Sequence, residues 1–129
     1  MVELKRILYV EDEPDIQAVA RLALEMVGGF TLEVCSSGRE ALDKVVAFAP
    51  QLVLLDVMMP GMDGPATLAA LRQLPGLADL PVIFMTAKVQ ASEVAHYTEL
   101  GAADVIPKPF DPMTLSDTLR AVWKRNCHG

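Results

Sequence analysis

The chain has 129 residues, 52% of them hydrophobic and 22% charged, which suits one compact soluble unit with a core of its own. No uncharged apolar run approaches the roughly 20 residues of a membrane helix, the opening MVELKRILYV lacks the pattern of a secretory signal, and Cys35 and Cys127 fit no CxxC or Cys/His ligand spacing. Seventeen acidic against eleven basic residues give a net charge of −6, the wrong sign for gripping a phosphate backbone, so direct nucleic-acid binding and membrane insertion are disfavoured and a reducing, cytoplasmic setting is expected.

The first apolar run, Ile7–Val10, reads as a strand that ends on Glu11-Asp12-Glu13. Pro14 suits the first turn of a helix, whose predicted inward stripe is Ile16, Val19, Ala20, Ala23 and Val27 before Gly28-Gly29 stops it. Leu32–Cys35 is a second strand, with Cys35 packing as a small hydrophobe. Gly38 to Phe48 forms a second helix, closed by Pro50. Leu52–Leu55 is a third strand that runs directly into Asp56 and the loop MMPGMDG at 58 to 64, and Pro65 to Leu74 is the helix that follows. Val82–Met85 is the fourth strand, with Thr86 after it. Ser92 is predicted to cap a fourth helix that turns Val94, Ala95 and Leu100 inward, keeps His96 outside and stops at Gly101. Val105–Ile106 is the fifth strand, followed by Lys108, and Asp111-Pro112 opens a last helix with Leu115, Leu119 and Val122 inside. Tyr97 and Trp123 read as half-buried residues at the core edge, with a partner surface as the alternative, and His128 falls in a frayed tail.

Short, near-continuous apolar strands are what a parallel sheet covered on both faces requires. Five of them alternating with five helices predict a doubly wound α/β fold, a five-stranded parallel sheet with helices on both faces, occupying residues 1–129 as a single domain. Ligands of such folds lie beyond the carboxyl ends of the strands.

Those strand ends carry Glu11 and Asp12, Asp56, Thr86 and Lys108. An unpaired acid at the end of a run as apolar as Leu52–Leu55 is costly, so Asp56 must reach water or meet a cation. Carboxylates about 4 Å apart repel by about 4 kcal/mol per pair at an effective dielectric near 20. Lys108 supplies one positive charge and a hard divalent ion would supply two more; Mg²⁺ fits, since it takes one or two carboxylates and shares its other positions with water and phosphoryl oxygens. A carboxylate so placed can act as a nucleophile on phosphorus, with Thr86 and Lys108 contacting the transferred oxygens. Glu11 and Asp12 can also be no more than the cap of the first helix, and capping and metal binding are compatible.

Glu11-Asp12, Asp56, Thr86-Ala87 and Lys108-Pro109-Phe110, with MMPGMDG between, resemble the receiver domain of two-component response regulators over essentially the whole chain. The resemblance implies a chemotaxis-regulator-like, flavodoxin-like fold in which Asp56 is phosphorylated by a histidine kinase or a histidine phosphotransfer protein. It implies Mg²⁺ on Asp12, Asp56 and the main-chain oxygen of Met58, with Glu11 helping through water. It also implies phosphoryl contacts from Thr86 and Lys108, and a cis Lys108–Pro109 bond. By the same resemblance, output is expected to pass to a downstream target protein through the surface of the fourth helix, fifth strand and fifth helix. The chain is then expected to be a stand-alone phosphorylation switch of a phosphorelay and not an enzyme, the alternative being a receiver cut from a longer regulator.

Four positions depart from that pattern or tune it. The first acid is Glu11, where Asp is frequent. Val105 stands where many receivers place an aromatic ring that swings inward, so rotamer switching of that kind has no ring to use. Met58 and Lys88 flank the acceptor and modulate the phosphoryl lifetime, which is expected to be moderately long. Rival readings meet specific obstacles. A Mg²⁺-dependent phosphohydrolase resembling haloacid dehalogenases would carry a second acid where Met58 stands, and a flavin or nucleotide module would need a phosphate loop where Glu11-Asp12-Glu13 repels one. A degenerate receiver that only docks is opposed by the complete acceptor set.

Overall fold

The computed structural model describes residues 2–126, so the expectations for Cys127 and His128 lie outside the described residues. Five parallel strands, β1 (Arg6–Val10), β2 (Thr31–Cys35), β3 (Leu52–Asp56), β4 (Val82–Thr86) and β5 (Asp104–Pro107), form one sheet in the order β2-β1-β3-β4-β5. The order reverses between β1 and β3, which puts the expected ligand crevice at the carboxyl ends of those two strands. The doubly wound α/β architecture with helices on both faces is present as the sequence predicts.

Strand alternation divides the core into two layers. Ile7, Tyr9, Leu52, Leu54, Ile83 and Met85 face one side and pack against Ala20, Ala23 and Leu24 of the first helix and Leu115, Leu119 and Val122 of the last. Leu8, Val10, Val53, Leu55, Val82 and Phe84 face the other and meet Ala41, Val45, Leu68 and Leu71. β3 and β4 are buried along their whole length, which explains why their sequences show no polar alternation.

The helices are α1 (Pro14–Arg21, continued by a π-helical stretch Leu22–Val27), α2 (Gly38–Phe48), α3 (Gly64–Gln73), α4 (Ala91–Glu99) and α5 (Leu115–Asn126). The end of the first helix differs from expectation. The Gly28 N–H bonds to the Ala23 carbonyl, five residues back, and after Leu24, which stays buried on the same face as Ala20, this wider winding turns Val27 out. Val19 is exposed as well, on the flank of α1.

On α4 the predicted inward residues Ala95 and Leu100 are exposed, and Tyr97 takes the inward position instead, edge-on to Phe84 with ring centroids 5.3 Å apart. The cap is Gln90 and not Ser92, because the Glu93 carboxylate reaches back to the Gln90 N–H at 3.3 Å. His96 is exposed as expected. Asp111 starts a turn ahead of α5: its Oδ1 accepts the Met113 N–H and its carbonyl accepts from Thr114 and Leu115, so regular helix begins at Leu115. Trp123 is half-buried, its Nε1 donating to the Val2 carbonyl at 2.8 Å. Among the described residues no helix is long and apolar enough to cross a membrane.

Candidate functional site

Parallel pairing registers the strand ends, and with them the side chains of interest. Asp56 lies opposite Met85 and Thr86 opposite Pro107, so the third, fourth and fifth strands finish at one rim. The Lys108 N–H continues the ladder to the Thr86 carbonyl at 3.0 Å, so Pro107, which has no N–H, stands where its nitrogen points away from β4. The Lys108–Pro109 peptide bond is cis. From this rim the Lys108 ammonium projects between two acids, 2.9 Å from Glu11 Oε1 and 3.2 Å from Asp56 Oδ1.

Asp56 is therefore buried, 3% exposed, and resolves its electrostatic problem with a cationic partner and not with water. Ligand oxygens of Glu11, Asp12 and Asp56 all lie within 4.8 Å of one another. Three carboxylates around one ammonium leave an excess of negative charge in a poorly hydrated place, and the donor set is all oxygen. These residues fit a small hard divalent cation, with one lysine too few to balance them alone.

Glu11 is fully buried. Burial pushes its carboxyl up to about 6; the Lys108 hydrogen bond opposes the shift and the Asp56 charge adds to it. Burial works against the Lys108 ammonium, but the Glu11 and Asp56 carboxylates outweigh it and hold the lysine above its usual range. Sequence reasoning placed Glu11 at the metal through water; the structure gives it a direct ion pair with Lys108 as well. Tyr9, noted in the sequence only as part of a strand, comes to this site too: its buried hydroxyl lies 3.4 Å from Glu11 Oε1. The signal was its separation of two residues from Glu11, which puts both on one face of β1.

The remaining residues sit around this centre. Thr86 is buried, and its Oγ1 accepts the Lys88 N–H at 3.1 Å, tying the end of β4 to the segment leading into α4. The Lys88 side chain is exposed. Met58 is 68% exposed on the loop after β3, whereas Met59 is buried and Met62 half-buried, so the loop methionines separate into one exposed group and two that pack. Val105 is half-buried, paired in register with Phe84 and packed in the same layer as Tyr97. Cys35 is a buried free thiol, pushed up to about 12 by burial, and packs as expected.

A doubly wound α/β protein with a lysine-bridged acidic pocket at the carboxyl rim of its sheet is the class that fold and site define together. The sequence model of the response regulator receiver domain matches residues 7–120, and the chain belongs to that family. It is similar to the transcriptional regulatory protein CseB of Streptomyces avermitilis, 36% identical over 128 residues covering 99% of this chain and 53% of that protein. It is also similar to the response regulator MprA of Mycolicibacterium vanbaalenii, 39% identical over 121 residues covering 93% of this chain and 51% of that one. The chain thus spans about half the length of these relatives. Among solved structures, the chemotaxis protein CheY4 of Vibrio cholerae superposes with a TM-score of 0.85 at 28% identity, covering 92% of this chain and 98% of CheY4.

Proposed function

We propose that residues 1–129 act as one receiver unit whose Asp56 accepts a phosphoryl group from a histidine kinase or histidine phosphotransfer protein, and that the phosphorylated form has altered affinity for a protein partner. The observation that carries this reading is the Lys108 ammonium held between Glu11 and Asp56 beside Asp12. Asp56 is the nucleophile; Lys108 compensates the charge arriving with the group and Thr86 donates its hydroxyl to a phosphoryl oxygen. Asp12, Asp56 and the main-chain oxygen of Met58 would hold Mg²⁺, with Glu11 supporting it through water. When bound, the ion neutralises charge that develops on the transferring phosphoryl oxygens.

Several features support the switch. Phosphorylation adds about 1.5 to 2 negative charges and three acceptor oxygens. The Thr86 hydroxyl already touches the Lys88 N–H, so recruiting it to the phosphoryl group reshapes the segment leading into α4. No residue of α4 is fully buried, so that helix is lightly anchored and free to respond. The surface of α4, β5 and α5 is then the output face, with Val105 contributing packing and no ring rotation. An apolar cleft lined by Ile16, Val19, Pro109 and Phe110 beside Lys108 offers the phosphoryl donor a docking place next to the acceptor. The setting is cytoplasmic. The relatives' names, transcriptional regulatory protein for one and DNA-binding response regulator for another, favour an output module that controls transcription; the net charge of −6 argues that DNA contact is made by that module and not by this chain.

The test is direct. With Mg²⁺ and acetyl phosphate, wild type gains the mass of one phosphoryl group, localised to Asp56, and Asp56→Asn gains none. Equal labelling of the two proteins overturns the reading. Met58, exposed and apolar beside the acceptor, shields the acyl phosphate from water, and Lys88 modulates the same step from the other side. Met58→Asn is accordingly expected to shorten the phosphoryl half-life several-fold in a mass-resolved decay, and an unchanged half-life removes Met58 from this role.

A further inference from the structure

Tyr9 is fully buried in the layer between the sheet and the α1 and α5 helices, where its ring packs in the same cluster as Ile7, Leu54 and Met85. A phenol in such a place needs an acceptor for its hydroxyl. Strand alternation supplies one, because Tyr9 and Glu11 stand on the same face of β1 and the hydroxyl is carried along the strand toward its acidic end. It stops 3.4 Å from Glu11 Oε1, the same oxygen that receives the Lys108 ammonium at 2.9 Å. The other oxygen, Oε2, accepts the Glu13 N–H at 3.3 Å. Core, lysine and the first turn of α1 therefore all converge on one carboxylate.

We infer that Tyr9 is a positioning residue for Glu11: its hydroxyl fixes the long carboxylate so that one oxygen serves Lys108 while the group stays aligned with Asp12 and Asp56 for a bound cation. This rests on the reading of the pocket as a Mg²⁺-dependent phosphoacceptor site. It also accounts for glutamate at position 11. The hydroxyl contact is already at the outer limit of a hydrogen bond. Aspartate, shorter by one carbon or about 1.5 Å, cannot keep Lys108 and still face the phenol. The phenol and the longer acid are thus a matched pair.

Tyr9→Phe removes one oxygen and leaves the ring in place, so the core keeps its volume. Titrated with magnesium chloride in a calorimeter, the variant is expected to bind Mg²⁺ about fivefold more weakly than wild type. Before any Mg²⁺ is added, the Glu13 amide resonance, which reports on Glu11 Oε2, shifts. In a Glu11→Asp background the same change leaves Mg²⁺ affinity where it was and raises Tm, because it deletes a hydroxyl that has already lost its acceptor. Equal Mg²⁺ affinity of wild type and Tyr9→Phe, an equal loss in both backgrounds, or a Tyr9→Phe protein without a cooperative melt overturns the inference. A wild type that binds Mg²⁺ beside an unaffected Tyr9→Phe overturns this inference alone, whereas a wild type that binds none overturns the proposed function with it.

Discussion

Lys108→Met is expected to lower the stability of the metal-free protein by about 3 kcal/mol at pH 7 and to slow labelling by acetyl phosphate about 10²-fold. The ammonium is bonded to two buried carboxylates, Glu11 at 2.9 Å and Asp56 at 3.2 Å, and no other salt bridge among the described residues reaches either of them. Methionine fills a similar volume and leaves both acids without compensation, which is the costly way to break a buried ion pair.

The pH dependence gives this prediction a sign. In wild type the Glu11 carboxyl already sits at about 6, above its ordinary 4.5, through burial. The folded state therefore holds a proton that the unfolded chain has released between those values. Glu11 accordingly favours folding below about pH 4.5, and that contribution is lost as pH rises through about 6. In Lys108→Met the lysine's opposing hydrogen bond is gone and the Glu11 carboxyl climbs further, so the variant keeps its proton to higher pH. Urea unfolding in EDTA at pH 7 and at pH 5 should show the gap between the two proteins shrinking at the lower pH. A gap that stays constant or widens would mean that Lys108 acts through packing and not through these carboxylates.

The same pair marks the boundary of what was legible in the sequence. The strands could be read because β3 and β4 are apolar on both faces, and the meeting of Glu11, Asp12, Asp56 and Lys108 could be read because each ends or follows a strand, which makes order along the chain equivalent to proximity at the rim. Which acid holds the lysine was not legible. That depends on the distance across the sheet from β1 to the end of β5, and no local pattern reports it. Tyr9 was hidden for a related reason, since one aromatic in a buried strand looks like core whether or not its hydroxyl has work to do.

The helices erred where winding or capping departs from rule. A strict 3.6-residue repeat sends Val27 inward, but the bond from the Gly28 N–H to the Ala23 carbonyl turns it out. Serine is the better intrinsic cap, yet Glu93 selects Gln90 by closing back on its N–H. The inward anchor of α4 is Tyr97, not Ala95 or Leu100, because its ring packs edge-on against Phe84 of β4.

Gly64→Ala is expected to destabilise the protein by about 1–3 kcal/mol through overpacking and to slow phosphoryl labelling about 10²-fold, although residue 64 makes no contact with substrate. A Cβ there would meet the Asp56 carbonyl oxygen and the Val57 Cα, both at 2.8 Å, and both are backbone atoms of the acceptor strand and its exit that cannot rotate away. Gly64 also donates its N–H to the Val57 carbonyl at 2.9 Å, while Asp63 Oδ1 caps α3 by accepting the Ala66 N–H. The first turn of α3 is thus pressed directly on the end of β3. Accommodating a methyl group moves either that turn or Asp56 itself, and a shift of several tenths of an ångström changes the 3.2 Å separation from Lys108 on which the proposed phosphoryl transfer depends. Gly61, three residues earlier, separates space from conformation: its φ is +75° and a Cβ added there would meet nothing within 4 Å. Gly61→Ala should therefore lose about 1 kcal/mol from left-handed backbone strain and label at the wild-type rate. If the two substitutions lowered labelling equally, the close approach of α3 to the acceptor strand would not be what positions Asp56.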